Sequence, residues 1–197
     1  MPSDTSRVWF ILEETPYLYW LIPHSPTHGV LGLIGTEEEK TRKALGRLLE
    51  KKNMEPIEFQ YAHIPLYAQW IPIHKKVGDS HICLVGNAAG HVKVTTVGGL
   101  FTGFRGARGV VEAILNGGSS REFSALRREL NLHHLLRRML NRFTQHEYVR
   151  LLDLLNPSAQ KTLGQFTRDE TPKLICHLFR KQPRLLLFGL KSLLSVK

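Results

Sequence analysis

The sequence predicts a mixed α/β chain of the α+β kind. Short strands come first, one strand–loop–helix unit follows, and helices run to the end. Three observations carry this. Aromatic and β-branched runs bounded by proline, glycine and polar residues recur before residue 35. A stretch of Gly, Asn and Ala interrupts an apolar strand at residue 86. Leucines at helical spacing, punctuated by prolines, fill residues 121–197.

The first strand is expected over Val8–Leu12, before Glu13-Glu14-Thr15-Pro16. The second is expected over Tyr17–Ile22, stopped by Pro23, and the third over Gly29–Ile34 after a His24-Ser25-Pro26-Thr27 turn. Thr36 is placed to cap a helix that opens on Glu37, Glu38 and Glu39 and turns basic later, the order that the helix dipole favours. Leu45, Leu48 and Leu49 give that helix an apolar face, and it should end near Asn53. Phe59–Lys76 reads as irregular, broken by Pro65 and Pro72.

His81–Val85 then reads as a short buried strand. Gly86-Asn87-Ala88-Ala89-Gly90 breaks it, a small-residue loop reaches Gly98-Gly99, and a helix runs from there to Leu115, where Asn116-Gly117-Gly118 stops it. In the last third, Pro157, Pro172 and Pro183 each stand where a helix can begin.

With 42% hydrophobic residues the chain has too much apolar content to be disordered. Its two cysteines, Cys83 and Cys176, lie far apart and form no CxxC pair, so reduced thiols are expected. No run of about 18 apolar residues is present, and Met1-Pro2-Ser3-Asp4 lacks the basic and apolar regions of a signal peptide, so the expected location is cytoplasmic. Charge is uneven. Residues 1–120 hold 12 Lys and Arg against 11 Asp and Glu, whereas residues 121–197 hold 15 against 6. The basic last third faces either an anionic membrane surface, at the inner face of the membrane, or only water. No nucleic-acid reader motif accompanies the charge, so nucleic acid is not an expected partner. His133-His134 and His24 with His28 have no Cys or carboxylate at ligand spacing, so no metal site is expected.

A strand, a Gly-Asn-Ala-Ala-Gly turn and a helix start bring main chain close to a polar ligand. Residues with tiny side chains admit the ligand, and the helix start offers unpaired N–H groups. Asn87, just past the strand, can both donate to and accept from a hydroxyl. A nucleotide or flavin fits this arrangement, and a tight turn packed under another element is the alternative.

Leu84-Val85-Gly86-Asn87-Ala88-Ala89-Gly90-His91-Val92-Lys93-Val94-Thr95-Thr96-Val97-Gly98-Gly99-Leu100, with Gly106-Ala107-Arg108 in the next helix, resembles the second flavin motif of the geranylgeranyl reductase family. These are FAD-dependent oxidoreductases of the p-hydroxybenzoate-hydroxylase-type fold. Tyr19-Trp20-Leu21-Ile22-Pro23, Gly29-Val30-Leu31-Gly32-Leu33 and Ile64-Pro65-Leu66 are similar to flanking family features, and the resemblance spans roughly residues 8–195. Asn87 stands where the family has Asp, Val94 where Pro is common, and Val97 where Gly is common.

The resemblance implies a partial substrate-binding sheet with one helix over residues 1–78, a flavin-binding strand–loop–helix over 79–118 and a basic helical region over 119–197. It implies FAD as cofactor, held by Gly86, Asn87, Ala88, Ala89, Gly90, Gly98 and Gly99. It also implies an isoprenoid or prenyl-lipid substrate, with Tyr19, Trp20 and Leu31 lining its tunnel; ordinary sheet core is the other role open to these three. His91 and Lys93 either touch the flavin ring or substrate, or are solvated. The family's Gly-x-Gly-x-x-Gly phosphate site does not occur in this sequence. The chain is therefore expected to bind FAD weakly or not at all by itself, to be inactive in isolation, and to be either a truncated product or one half of a split enzyme whose other chain carries the ADP-binding domain. A non-catalytic, membrane-associating accessory fragment is the alternative.

Overall fold

The structure is a computed structural model and describes residues 4–11, 19–167 and 169–194. The α+β class holds: among the described residues seven helices accompany two small antiparallel sheets. The chain divides into two compact units, residues 1–62 and 63–197.

In the first unit β1 (Trp9–Ile11), β2 (Tyr19–Pro23) and β3 (Gly29–Leu33) form an antiparallel sheet in that order. The part of the expected strands falling on Leu12–Leu18 lies outside the described residues. Register follows the alternation of side chains. Ile11 pairs with Tyr19, Tyr19 with Leu33, and Leu21 with Leu31, which puts these residues on one face. That face packs on α1 (Glu38–Lys51) through a core of Tyr19, Ala44 and Leu48. The opposite face carries Phe10, Trp20, Ile22 and Val30. Phe10, Ile22 and Val30 are exposed, and the Trp20 indole lies across Gly32. The helix begins one turn position later than its expected Thr36 cap: Glu37 is the capping residue, and its carbonyl receives the Thr41 N–H (2.9 Å) and hydroxyl (2.6 Å). It ends at Lys51, with Asn53 left-handed at φ +50°.

The second unit opens with a hairpin of β4 (His74–Val77) and β5 (Ser80–Cys83), turned by Gly78 at φ +59°. The irregular stretch expected up to Lys76 thus ends in a strand, hidden in the sequence because Lys75-Lys76 carries no apolar pattern. The strand expected to be buried over His81–Val85 is β5, shifted to Ser80–Cys83, and Ser80, His81 and Ile82 are exposed in a two-stranded sheet whose other strand is β4. A 3-10 turn over Gly86–Ala89 leads by a loop to α2 (Leu100–Leu115), whose end is set by Gly117 and Gly118 at φ +60° and +96°.

Helices α3 (Arg121–Leu140), α4 (Gln145–Leu154), α5 (Pro157–Gln165), α6 (Thr171–Lys181) and α7 (Pro183–Leu194) fill the expected helical third. Ser120, Thr144 and Asn156 cap α3, α4 and α5 through their side chains, and Pro157 and Pro172 stand in first turns. One core joins Tyr67, Val94, Leu126 and Leu130, and another joins Ala159, Leu178 and Leu185. Among the described residues no helix is long and apolar enough to cross a membrane.

Candidate functional site

The Leu84 N–H donates to the Ile73 carbonyl (2.8 Å) and Val85 continues extended at φ −139°. Gly86 then turns left-handed at φ +61°, the chain makes one 3-10 turn, and Gly90 leaves it left-handed at φ +64°. A Cβ at either glycine would meet nothing within 4 Å, so backbone conformation and not crowding calls for glycine there. The turn is closed by the N–H of Gly90 on the Asn87 carbonyl and of His91 on the Gly86 carbonyl, both at 2.9 Å. Asn87 and Ala88 are exposed, Gly86 and Gly90 half-buried, and Ala89 buried.

The start of α2 lies against this turn. A Cβ on Gly103 would touch the Gly86 Cα at 3.4 Å, and one on Gly99 would meet Asn87 Oδ1 at 3.1 Å. The first intrahelical bond runs from the Gly103 N–H to the Gly99 carbonyl (2.8 Å), so the N–H groups of Leu100, Phe101 and Thr102 precede it. No side chain among the described residues caps the helix. Turn and helix start therefore make one shelf, poor in side chains and positive in potential, with the Asn87 amide beside it. Gly98 and Gly99, also expected in the site, are half-buried at its rear.

The loop between them points inward. His91, Val92, Lys93 and Val94 are all buried, at 0%, 1%, 2% and 5% exposure. Lys93 forms an ion pair with Asp169 in the turn before α6. A 2.6 Å hydrogen bond joins Thr95 Oγ1 to His133 Nδ1 on α3. The His91 ring stacks on Trp70, and the Thr102 hydroxyl donates to the His91 carbonyl. His91 and Lys93 are thus not solvated, and both side chains anchor the loop from below. The main chain pairs Lys93 with Gly98 across Val94–Val97, and Val97 holds the left-handed φ of +51° that glycine suits better.

Beneath the loop lies a charged layer that the sequence did not reveal. Arg105 on α2 pairs with Glu122 (2.6 Å) and with the buried Glu129, and Glu129 lies 3.9 Å from His133 Nε2. Burial, then the Lys93 charge, pushes the His133 pKa down to about 4; burial also lowers that of His91. These residues come from positions 70 to 169, and no sequence spacing relates them.

The three tunnel candidates do not converge. Tyr19 and Leu31 lie on the sheet face that packs against α1, whereas Trp20 lies on the opposite, open face. Phe10, Ile22 and Val30, which sequence reasoning did not select, share the Trp20 side. The alternation of the strands carried this information, but the choice of candidates followed family resemblance instead.

Among the described residues no group of three or more His, Cys, Asp or Glu is placed to hold a metal ion. Cys83 is half-buried and Cys176 exposed, both as free thiols. Searches against family models, curated proteins and solved structures give no match to this chain.

Proposed function

We propose that the chain is the flavin-ring and C-terminal part of a geranylgeranyl-reductase-type flavoprotein. The single observation that carries the reading is the shelf of Gly86–Gly90 and the α2 start. Two left-handed glycines with open space beside them, an uncapped helix end and an exposed Asn87 amide suit the isoalloxazine and ribityl parts of FAD. When bound, the cofactor would supply hydride for reduction of an isoprenoid carbon–carbon double bond.

In this reading Asn87 Oδ1 accepts from a ribityl hydroxyl, without the charge-assisted strength of an aspartate. The backbone of Ala88 and Gly90 would hold the ribityl part, and the N–H groups of Leu100 and Phe101 would favour negative charge on the bound ring. Lys93 and His133 hold the loop in shape and reach neither ring nor substrate. Within the first unit by itself, the open sheet face with Trp20, Phe10, Ile22 and Val30 offers an apolar surface. Along α2, Leu100, Phe104, Val111 and Leu115 are exposed, as a surface normally covered by a further domain would be; the reading assigns that place to a polypeptide with the ADP-binding unit. On α7, exposed Arg184, Leu187, Leu190 and Lys191 suit peripheral contact with an anionic membrane. Sedimentation with phosphatidylglycerol vesicles, lost at high salt, is the expected result of that contact.

The test is a flavin-fluorescence titration. The chain alone should bind FAD more weakly than micromolar. Chain mixed with a separately expressed Gly-x-Gly-x-x-Gly domain from a geranylgeranyl reductase should bind at micromolar or better. Asn87→Leu combined with Gly99→Val should abolish the gain while leaving the circular dichroism spectrum intact. A mixture in which the double variant binds as well as the parent chain overturns the reading, as does a mixture that binds no flavin.

A further inference from the structure

Between the β4–β5 hairpin and the α2–α3 corner runs a cleft of about 720 Å³, within the size range of small-ligand sites. Trp70, Ile73, Val110 and Phe123 supply apolar walls, with Phe123 set edge-on to Trp70 at 5.9 Å between ring centroids. Besides the Ser124 hydroxyl and the Cys83 thiol, the polar side chains that line it all carry nitrogen groups. Arg127 projects from α3, His74 and His81 project from facing strands, and no Asp or Glu is among the lining residues.

The two histidines form a built pair. His74 Nε2 and His81 Nδ1 are 2.6 Å apart, with the rings stacked at 4.9 Å and 13°. One ring donates this bond and the other accepts it, so in the neutral pair the accepting ring keeps its second nitrogen as an N–H for a ligand, while the donating ring's second nitrogen is an acceptor. The pair sits diagonally on one face of the hairpin because His74 is opposite Cys83 and His81 is two residues before it. An exposed guanidinium matches a carboxylate or phosphate in two-point geometry.

We infer that this cleft binds a small aryl anion, its ring against Trp70 and Phe123 and its carboxylate or phosphate on Arg127 and the His74–His81 pair. The aromatic walls select a flat apolar body, and the Arg127 guanidinium, with no carboxylate in the lining to oppose it, selects an anionic head. The lining shares no residue with the shelf of Gly86–Gly90 and the α2 start, so binding in the cleft and flavin binding succeed or fail separately.

Isothermal calorimetry on the full chain tests this with four probes: 2-naphthoate, 2-naphthyl phosphate, the uncharged naphthalene-2-carboxamide and inorganic phosphate. At least one aryl anion should bind with one-to-one stoichiometry, and which of the two binds more tightly identifies the head group. The carboxamide and inorganic phosphate should each bind at least tenfold more weakly. Arg127→Gln should weaken the aryl anion about tenfold, and His74→Gln with His81→Gln should weaken it further, with circular dichroism unchanged in both variants. Equal binding of the carboxamide overturns the inference, as does equal binding of inorganic phosphate. Undiminished affinity in both variants, or no heat from either aryl anion, overturns it too.

Discussion

The imidazole of His91 stacks on the indole of Trp70, centroids 5.4 Å apart and planes 25° from parallel, and His91 Nδ1 lies 2.3 Å from where a Cβ on Gly106 would be. A fully buried, neutral histidine therefore fills a slot between a loop residue's ring and the backbone of α2. The slot sets the height of the loop that leaves the glycine turn.

Gly106→Ala places a methyl group inside that slot. The ring has no free direction in which to move, so a loss of about 2 kcal/mol is expected, in the range of core overpacking. In a His91→Ala background the same substitution should be neutral or stabilising. Urea unfolding followed by the helical signal gives both values, and their difference is the coupling of the two positions.

Asp169→Ala removes a partner of Lys93, whose side chain is almost wholly buried. Breaking a buried pair from one side costs about 3 kcal/mol or more, reduced here because Asp169 is itself partly exposed. Lys93→Met with Asp169→Leu should restore most of the loss, since neither position then carries a charge. A double variant less stable than Asp169→Ala would contradict this account.

His133 is expected to make the fold acid-sensitive. Its folded pKa of about 4 lies below the usual 6.5, so the unfolded chain binds its proton first as pH falls. The stability that His133 contributes is full above about pH 6.5, falls by about 3 kcal/mol as pH drops towards 4, and changes no further below that. His91, also shifted down, acts in the same direction. Urea midpoints at pH 7.5 and pH 4.5 measure the slope, and His133→Gln should flatten it.

Val97→Gly should stabilise the chain. A β-branched residue at φ +51° is strained by about 1–2 kcal/mol, and the greater freedom of glycine when unfolded gives back about half of the gain. The expected net is about +1 kcal/mol in urea unfolding, with no effect expected from Val94→Gly beyond lost core packing.

Much of the fold was legible because it rests on local signals. Proline and glycine punctuation located α2, α5, α6 and α7, and charge order located α1. β4 was hidden because a solvent-facing hairpin strand, Lys75-Lys76 at its centre, carries no apolar alternation. The glycine turn was legible for the same reason that it works: left-handed backbone leaves its mark in composition. The side chains beneath it were not. Lys93 with Asp169, Thr95 with His133, and Arg105 with Glu122 and Glu129 meet only through the packing of α2, α3 and the turn before α6, and sequence separation conceals such pairs. Tyr19 on β2 and Leu31 on β3 share a face because Leu31 pairs with Leu21, two residues from Tyr19, and that face packs on α1, the sheet-core role that the sequence left open beside the tunnel.

The tethers of the 91–99 loop also fix an order of assembly. They reach 38 residues forward to His133 and 76 forward to Asp169. The loop thus acquires its shape only after α3 and the turn before α6 have come to rest, and closing such long spans is slow. During synthesis the glycine turn leaves the ribosome well before the helices that hold its downstream arm, so this part of the molecule is completed late and is the first to loosen when those helices detach.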